Sequence, residues 1–184
     1  QGYVFDVVMS SFTDTTDREK IVDFVTYFQA GTQWAQRPGT PVNPNTACGL
    51  KVGVSSRSIQ DVEELPKKSK ACVAVGSPPI TKVDYISQDD VTNALVTGEV
   101  DAMSADSPVT GYAVDRSDGA LETAGGIFDA APYGWPVAKG SPLAESLRQA
   151  LMHVISTGEY QAIMTKWGVQ AGMMTSPVIN GAYG

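Results

Sequence analysis

A run of hydroxyl side chains ending in arginine, Ser10-Ser11-Phe12-Thr13-Asp14-Thr15-Thr16-Asp17-Arg18, is the first place in this chain where binding chemistry can be read. The planar guanidinium of Arg18 can hold a carboxylate by two parallel hydrogen bonds, while hydroxyls and main-chain N–H groups serve the remaining lone pairs. The competing reading of Arg18 is a surface ion pair with Asp14 or Asp23. Ser55-Ser56-Arg57-Ser58 lies between a strand-like run and a helical pattern, whose start offers N–H groups and a positive dipole end to an anion. Ala105-Asp106-Ser107 follows another strand-like run. There Asp106 is either an ordinary N-cap or the partner of an ammonium group. Arg18, Thr13 and the helix start at Ser58 suit a carboxylate, Asp106 suits an ammonium, and a zwitterion such as a free amino acid satisfies both. Arg57 reads either as a solvated loop residue or as a group reaching the far end of a ligand.

Catalysis is poorly supported. His153 is the single histidine, lies off the apolar face of a helical pattern, and has no G-x-S-x-G elbow to serve. With no C-x-x-C spacing, a zinc site is not expected either. Cys48 and Cys72 are either two buried free thiols or one disulfide closing a loop of about 25 residues; the disulfide is the favoured reading, and it implies an oxidising compartment. Trp34, Trp135 and Trp167 read as packing residues, not base-stacking platforms.

Alternating elements must position these groups. Strands are expected over Tyr3–Met9, Lys51–Val54, Ala71–Val75, Val83–Ile86, Val100–Ser104 and Tyr133–Lys139. Between them fall a helix with Ile59, Val62 and Leu65 on its apolar face, ended by Pro66, and a helix capped by Ser87 and stopped by Gly98. A third helix starts at Asp106-Ser107-Pro108, and a fourth starts at Ser141-Pro142 and ends at Gly158. A short helix over Glu159–Lys166 follows, and the tail from Ser176 looks irregular. The Pro/Asn/Gly/Thr-rich stretch Arg37–Thr46 reads as a connector. The pattern is α/β, with helices on both faces of a sheet.

The chain has 184 residues, 42% of them hydrophobic, which is enough for one large domain or two small lobes. A net charge of −7 argues against nucleic acid or an anionic membrane as partner.

At this point the residues resemble a known family. The stretches Phe5–Thr13, Thr15–Arg18 with Val22–Phe24, Gly31–Trp34, Cys48–Val54, Gly98–Ala102 with Ala105–Pro108, Pro132–Gly134, and Gly158–Tyr160 with Lys166–Gly168 are similar to the bacterial extracellular solute-binding proteins of polar amino-acid ABC transporters, nearest the actinobacterial lipoprotein branch. The resemblance implies a periplasmic-binding-protein-like fold, in which two α/β lobes joined by two crossing strands close over the ligand. It implies that residues 1–34 and 133–184 are the C-terminal half of lobe one, that residues 35–132 are a complete lobe two, and that the start of lobe one is missing, as in an N-terminally truncated form. Apolar faces bared in such a remnant would favour dimerisation or strand exchange.

By the same resemblance, Arg18 and Thr13 grip the α-carboxylate and the Ser11 backbone accepts from the α-ammonium. Ser58 and Ile59 offer N–H groups to the carboxylate, Asp106 pairs with the ammonium, and Ser55 and Ala105 face the ligand side chain. The family often has Gly-Thr where this chain has Arg57-Ser58. The implied function is non-enzymatic capture of a polar amino acid (glutamine, glutamate and asparagine are candidates) and its delivery to an ABC permease, without cofactor. The implied location is extracytoplasmic, lipid-anchored through a segment absent from this sequence. The alternatives are a dehydratase-like enzyme on the same fold and a receptor sensor domain.

Overall fold

The computed structural model describes residues 5–183. In chain order the elements are β1 (Phe12–Thr13), α1 (Thr16–Glu19), β2 (Val22–Gln36), β3 (Lys51–Ser55), a π-helical segment (Gln60–Glu64), α2 (Leu65–Ala74), β4 (Thr81–Tyr85), α3 (Gln88–Thr97), β5 (Ala102–Asp106), α4 (Ser107–Arg116), β6 (Glu122–Ala138), α5 (Leu143–Ser156), α6 (Glu159–Lys166) and a 3-10 turn (Gln170–Gly172). The chain divides into two compact units, one formed by the chain up to Ala30 and from Ala130 onward, the other by Gly31–Asp129.

In the Gly31–Asp129 unit the strand order is β2-β5-β3-β4. β3 pairs in parallel with both β4 and β5, while β5 pairs antiparallel with β2, setting Thr32 opposite Asp106 and Trp34 opposite Ser104. The sheet is covered on both faces, and its alternating side chains sort accordingly. One core gathers Trp34, Val52, Val54, Leu65 and Ala102; the other gathers Ala35, Val91, Leu95, Met103 and Ala113. α3 has the expected ends: the Ser87 hydroxyl accepts from the Asp90 N–H at 3.2 Å, and Gly98 closes the helix at φ 81°, a left-handed conformation that glycine adopts without cost.

The expected strand over Ala71–Val75 is instead the end of α2. Pro66 does not stop the helix but sits in its first turn, where a missing N–H is harmless. Val73 and Val75 look strand-like but face solvent, and Leu65 and Cys72, seven residues apart, are the pair that α2 buries. The expected apolar face is corrected too: Val62 is 54% exposed, and the buried residues are Gln60, Asp61, Glu64 and Leu65. The cause is the wider π turn, in which Leu65 N–H reaches back to Gln60 O and shifts the face away from a 3.6-residue period. β5 also runs two residues past the expected end, so Ala105 and Asp106 close the strand.

In the other unit the order is β1-β6-β2. Of the expected strand over Tyr3–Met9, the described residues show only an isolated bridge from Val7 to Val137; Tyr3 and Val4 lie outside the described residues. The reason lies in β6. Pro132 and Pro136 turn their carbonyls to this side, accepting from Asp14 N at 2.8 Å and Val8 N at 3.2 Å, but neither can donate in return. The ladder is confined between them, to Phe12↔Gly134 and Thr13↔Tyr133. Gly134 is required there, since a Cβ would stand 2.8 Å from that of Phe24.

The tail is irregular but tightly bound. Asp23 accepts from Lys139 Nζ at 2.7 Å, Gly140 N at 2.7 Å and Asn180 Nδ2 at 2.8 Å, while Asn180 exchanges hydrogen bonds with the Phe24 main chain. These bonds hold the Asp23 carboxyl down at about 2. α5 packs Ala144, Leu143 and Leu147 against Val25 and Val137. Of the three tryptophans, Trp34 is fully buried and Trp135 stacks on Tyr27 at 4.9 Å, whereas Trp167 is exposed.

Cys48 and Cys72 form a disulfide that ties α2 to the loop before β3. Closing a loop of about 25 residues restricts the unfolded chain by about 3 kcal/mol. Replacing both cysteines by alanine is therefore expected to lower the stability of the Gly31–Asp129 unit by about 2–4 kcal/mol in denaturant titration, with no change in far-UV circular dichroism at zero denaturant.

Candidate functional site

The predicted residues fall on both units. Ser11, Thr13 and Arg18 belong to the first; Ser55, Ser58, Ile59, Ala105 and Asp106 belong to the second.

On the first unit, Ser11 is exposed just before β1 and Thr13 pairs with Tyr133. Thr15 caps α1, its hydroxyl accepting from Arg18 N at 3.3 Å. The Arg18 side chain folds back so that Nη1 donates to the Thr13 carbonyl at 2.8 Å, and the guanidinium lies 5.9 Å from the Phe12 ring centroid. The ion pairs first weighed for Arg18 are absent among the described residues: Asp23 is engaged by Lys139, and Asp14 Oδ2 accepts from Gly181 N. Arg18 is thus a half-buried cation oriented by a main-chain carbonyl, with no carboxylate within ion-pair distance among the described residues. It also lines an apolar cavity of about 310 Å³ with Phe5, Val8, Phe12, Ile21 and Phe24.

On the second unit, β3 and β5 run parallel, so Ser55 and Asp106 end at the same edge of the sheet, where open α/β sheets bind ligands. Ser58 Oγ accepts from Asp61 N at 3.2 Å and retains its hydrogen as a donor, while Ser58 N–H is directed at Ser55 O at 3.2 Å. Ile59 is half-buried and leads into the π segment. Arg57 adopts φ 66°, a conformation that costs a residue with a side chain about 1 kcal/mol or more. The turn is held by Asp61, whose carboxylate accepts from Arg57 N at 2.6 Å and pairs with Lys82. This is the physical reason glycine suits the position. The Arg57 side chain is exposed.

Ala105 is buried at the end of β5, opposite Gln33. Asp106 occupies the N-cap position of α4 in backbone geometry, yet its side chain makes no capping bond. Its Oδ1 accepts instead from Gln60 Nε2 at 2.8 Å, and the same nitrogen lies 3.1 Å from Thr32 Oγ1. Four residues on, Glu64 accepts from Trp34 Nε1 at 2.8 Å and Ser104 Oγ at 2.5 Å, with its carboxyl pushed up by burial. Sequence reasoning missed Gln60 and Glu64, because only Ile59, Val62 and Leu65 were read as the buried face of that helical stretch, and it missed Thr32 on β2, whose role depends on Asp106 opposite it. Their four-residue spacing, Gln60 to Glu64, was the available signal.

A family model for bacterial extracellular solute-binding proteins, family 3, matches residues 2–170. The chain belongs to this family. It is 38% identical to the arginine-binding protein ArgT of Corynebacterium glutamicum over 98% of this chain and 60% of that one. It is 30% identical to an L-arginine-binding protein of Pseudomonas aeruginosa over 88% of this chain and 64% of that one. The chain thus spans about three fifths of the length of these curated relatives. Among solved structures, it is similar to an ancestral arginine-binding protein bound to arginine, at 29% identity and a TM-score of 0.76, covering 88% of this chain and 71% of that one. These relatives are binding proteins, and the structural match bears out the periplasmic-binding-protein-like fold.

Beside Thr13, Asp14 is buried, and its Oδ1 has no hydrogen-bond partner among the described residues. Burial, against the Gly181 N–H and assisted by the Glu19 carboxylate, pushes its carboxyl up to about 6. The folded state therefore holds this proton more tightly than the unfolded chain, so the resulting stabilisation is full below about pH 4 and is lost as pH rises through about 6. Asp14→Asn, a neutral substitute, is expected to stabilise the protein by about 1–3 kcal/mol at pH 7.5 and to make little difference at pH 4; melting curves at the two pH values check this.

Proposed function

We propose that this chain captures a free amino acid in an extracytoplasmic setting, leaves it chemically unchanged and delivers it to an ABC permease. The observation that carries the reading is Arg18: a half-buried guanidinium fixed by the Thr13 carbonyl and left without a carboxylate partner among the described residues. In this reading Arg18 and the Thr13 hydroxyl serve the ligand's α-carboxylate, and the Ser11 carbonyl accepts from its ammonium. From the second unit, Asp106 pairs with the ammonium and the Ser58 hydroxyl supplies a further donor, assisted by the Ile59 N–H. Ser55 and Ala105 meet the side chain. The family's description as extracellular and the disulfide support the setting.

Arginine leads the candidates, because both curated relatives carry arginine-binding in their names. The net charge of −7 also favours the approach of a cation. Glutamine, glutamate and asparagine complete the panel. Calorimetric titration with these amino acids is expected to show saturable binding of at least one. Arg18→Ala should then weaken the best ligand by about 2–5 kcal/mol, or roughly thirtyfold and more. A loss within about threefold, for Arg18→Ala and Asp106→Asn alike, would mean that the ligand's charges are met elsewhere.

A further inference from the structure

The Asp106 carboxylate is held by a residue from another element, and that residue has no place in the ligand contacts described above. Gln60 is only 2% exposed, and its amide nitrogen donates both to Asp106 Oδ1 at 2.8 Å and to Thr32 Oγ1 at 3.1 Å. Only the nitrogen of the amide can donate to a carboxylate, so the orientation of the Gln60 amide is fixed by its partner. Thr32 and Asp106 are directly opposed across the β2–β5 pair. A single primary amide therefore bridges a cross-strand pair with its two hydrogens.

The bridge is braced one turn further along. Glu64 spans the next pair on the same face, Trp34 and Ser104. The spacing matches, since residues two apart on a strand lie about 6.8 Å apart on one face and the π segment brings Gln60 and Glu64 to the sheet at corresponding positions. Gln60 cannot swing away without pulling on Glu64, which is itself buried and doubly bonded. One oxygen of Asp106 is consequently pinned, and with it the plane of the whole carboxylate.

We infer that Gln60 is a positioning residue for ligand capture: its amide, referenced to Thr32, sets the orientation in which Asp106 meets the α-ammonium. The inference rests on the reading of Asp106 as the ammonium partner. Glutamine suits the task because it donates without adding charge. Glutamate of the same shape would set a second carboxylate against the first, and methionine would fill the space without donating.

A double-mutant cycle tests this, using calorimetry with whichever of arginine, glutamine, glutamate and asparagine binds the unaltered protein most tightly. Asp106→Asn is expected to weaken binding at least thirtyfold. Gln60→Met is expected to weaken it at least tenfold while leaving far-UV circular dichroism unchanged, and to cost less than twofold when added to Asp106→Asn. Thr32→Val, which removes the reference point but leaves the Gln60 amide, should cause a smaller loss of about threefold to tenfold and should likewise vanish in the Asp106→Asn background. If Gln60→Met costs the same factor with and without Asp106, it acts through general packing and the inference is overturned. It is overturned as well if Gln60→Met and Thr32→Val both leave affinity within threefold while Asp106→Asn does not. If no amino acid binds, or if Asp106→Asn itself is harmless, the reading of Asp106 fails first and this inference falls with it. Should Gln60→Met not fold, the Thr32→Val arm of the cycle decides alone.

Discussion

The second unit is organised around a buried carboxylate. Glu64 accepts from an indole N–H and a serine hydroxyl that belong to opposed positions on β2 and β5. A charge-accepting group removed from water is tolerated only when its lone pairs are met, and leaving either donor unpaired would cost about 1–3 kcal/mol. This requirement fixes the rotation of the π segment over the sheet, and the rotation decides which side chains reach the edge where β3 and β5 end. The turn at Arg57 and Ser58 is a consequence. The chain must leave β3 and enter a helix already clamped at its far end, and the left-handed residue at Arg57 is how it does so within a few residues.

The first unit uses carboxylates differently. Asp23, met by an ammonium, a main-chain N–H and an amide, is held strongly ionised. Asp14, buried and with Oδ1 lacking a hydrogen-bond partner among the described residues, is pushed toward its neutral form. Both bind the C-terminal tail, Asp23 through Asn180 and Asp14 through Gly181. Their proton affinities move in opposite directions, so falling pH first relieves the burial penalty of Asp14, near 6, and only towards about 2 neutralises Asp23 and loosens its ties.

Much of this was legible in the sequence, for particular reasons. Ser87 with Gly98 and Ser141-Pro142 with Gly158 gave helix limits, because capping depends on residues next to one another in the chain. The disulfide reading survived although the strand invoked beside Cys72 is a helix, since the covalent bond needs proximity and not a given element. What could not be read was set by distant partners. Val73 and Val75 look like strand residues until the sheet is seen to have no place for them. Gln60 and Glu64 look like solvent-facing residues until Thr32, Trp34, Ser104 and Asp106 are found opposite them. For the candidate site, residue types pointed to Arg18 and Asp106, but whether either was consumed by an internal ion pair or a helix cap was a question of geometry.

The two prolines of β6 have a meaning beyond the shortness of β1. A sheet edge with open N–H and C=O groups is a template on which another copy can add a strand, the usual first step toward aggregation. Pro132 and Pro136 face that side and offer carbonyls without donors, on either side of the two-residue ladder made by Phe12 and Thr13. An incoming strand would find its own carbonyls unanswered at every second pairing position along this stretch. The arrangement that limits β1 to Phe12 and Thr13 also keeps this side of β6 from growing.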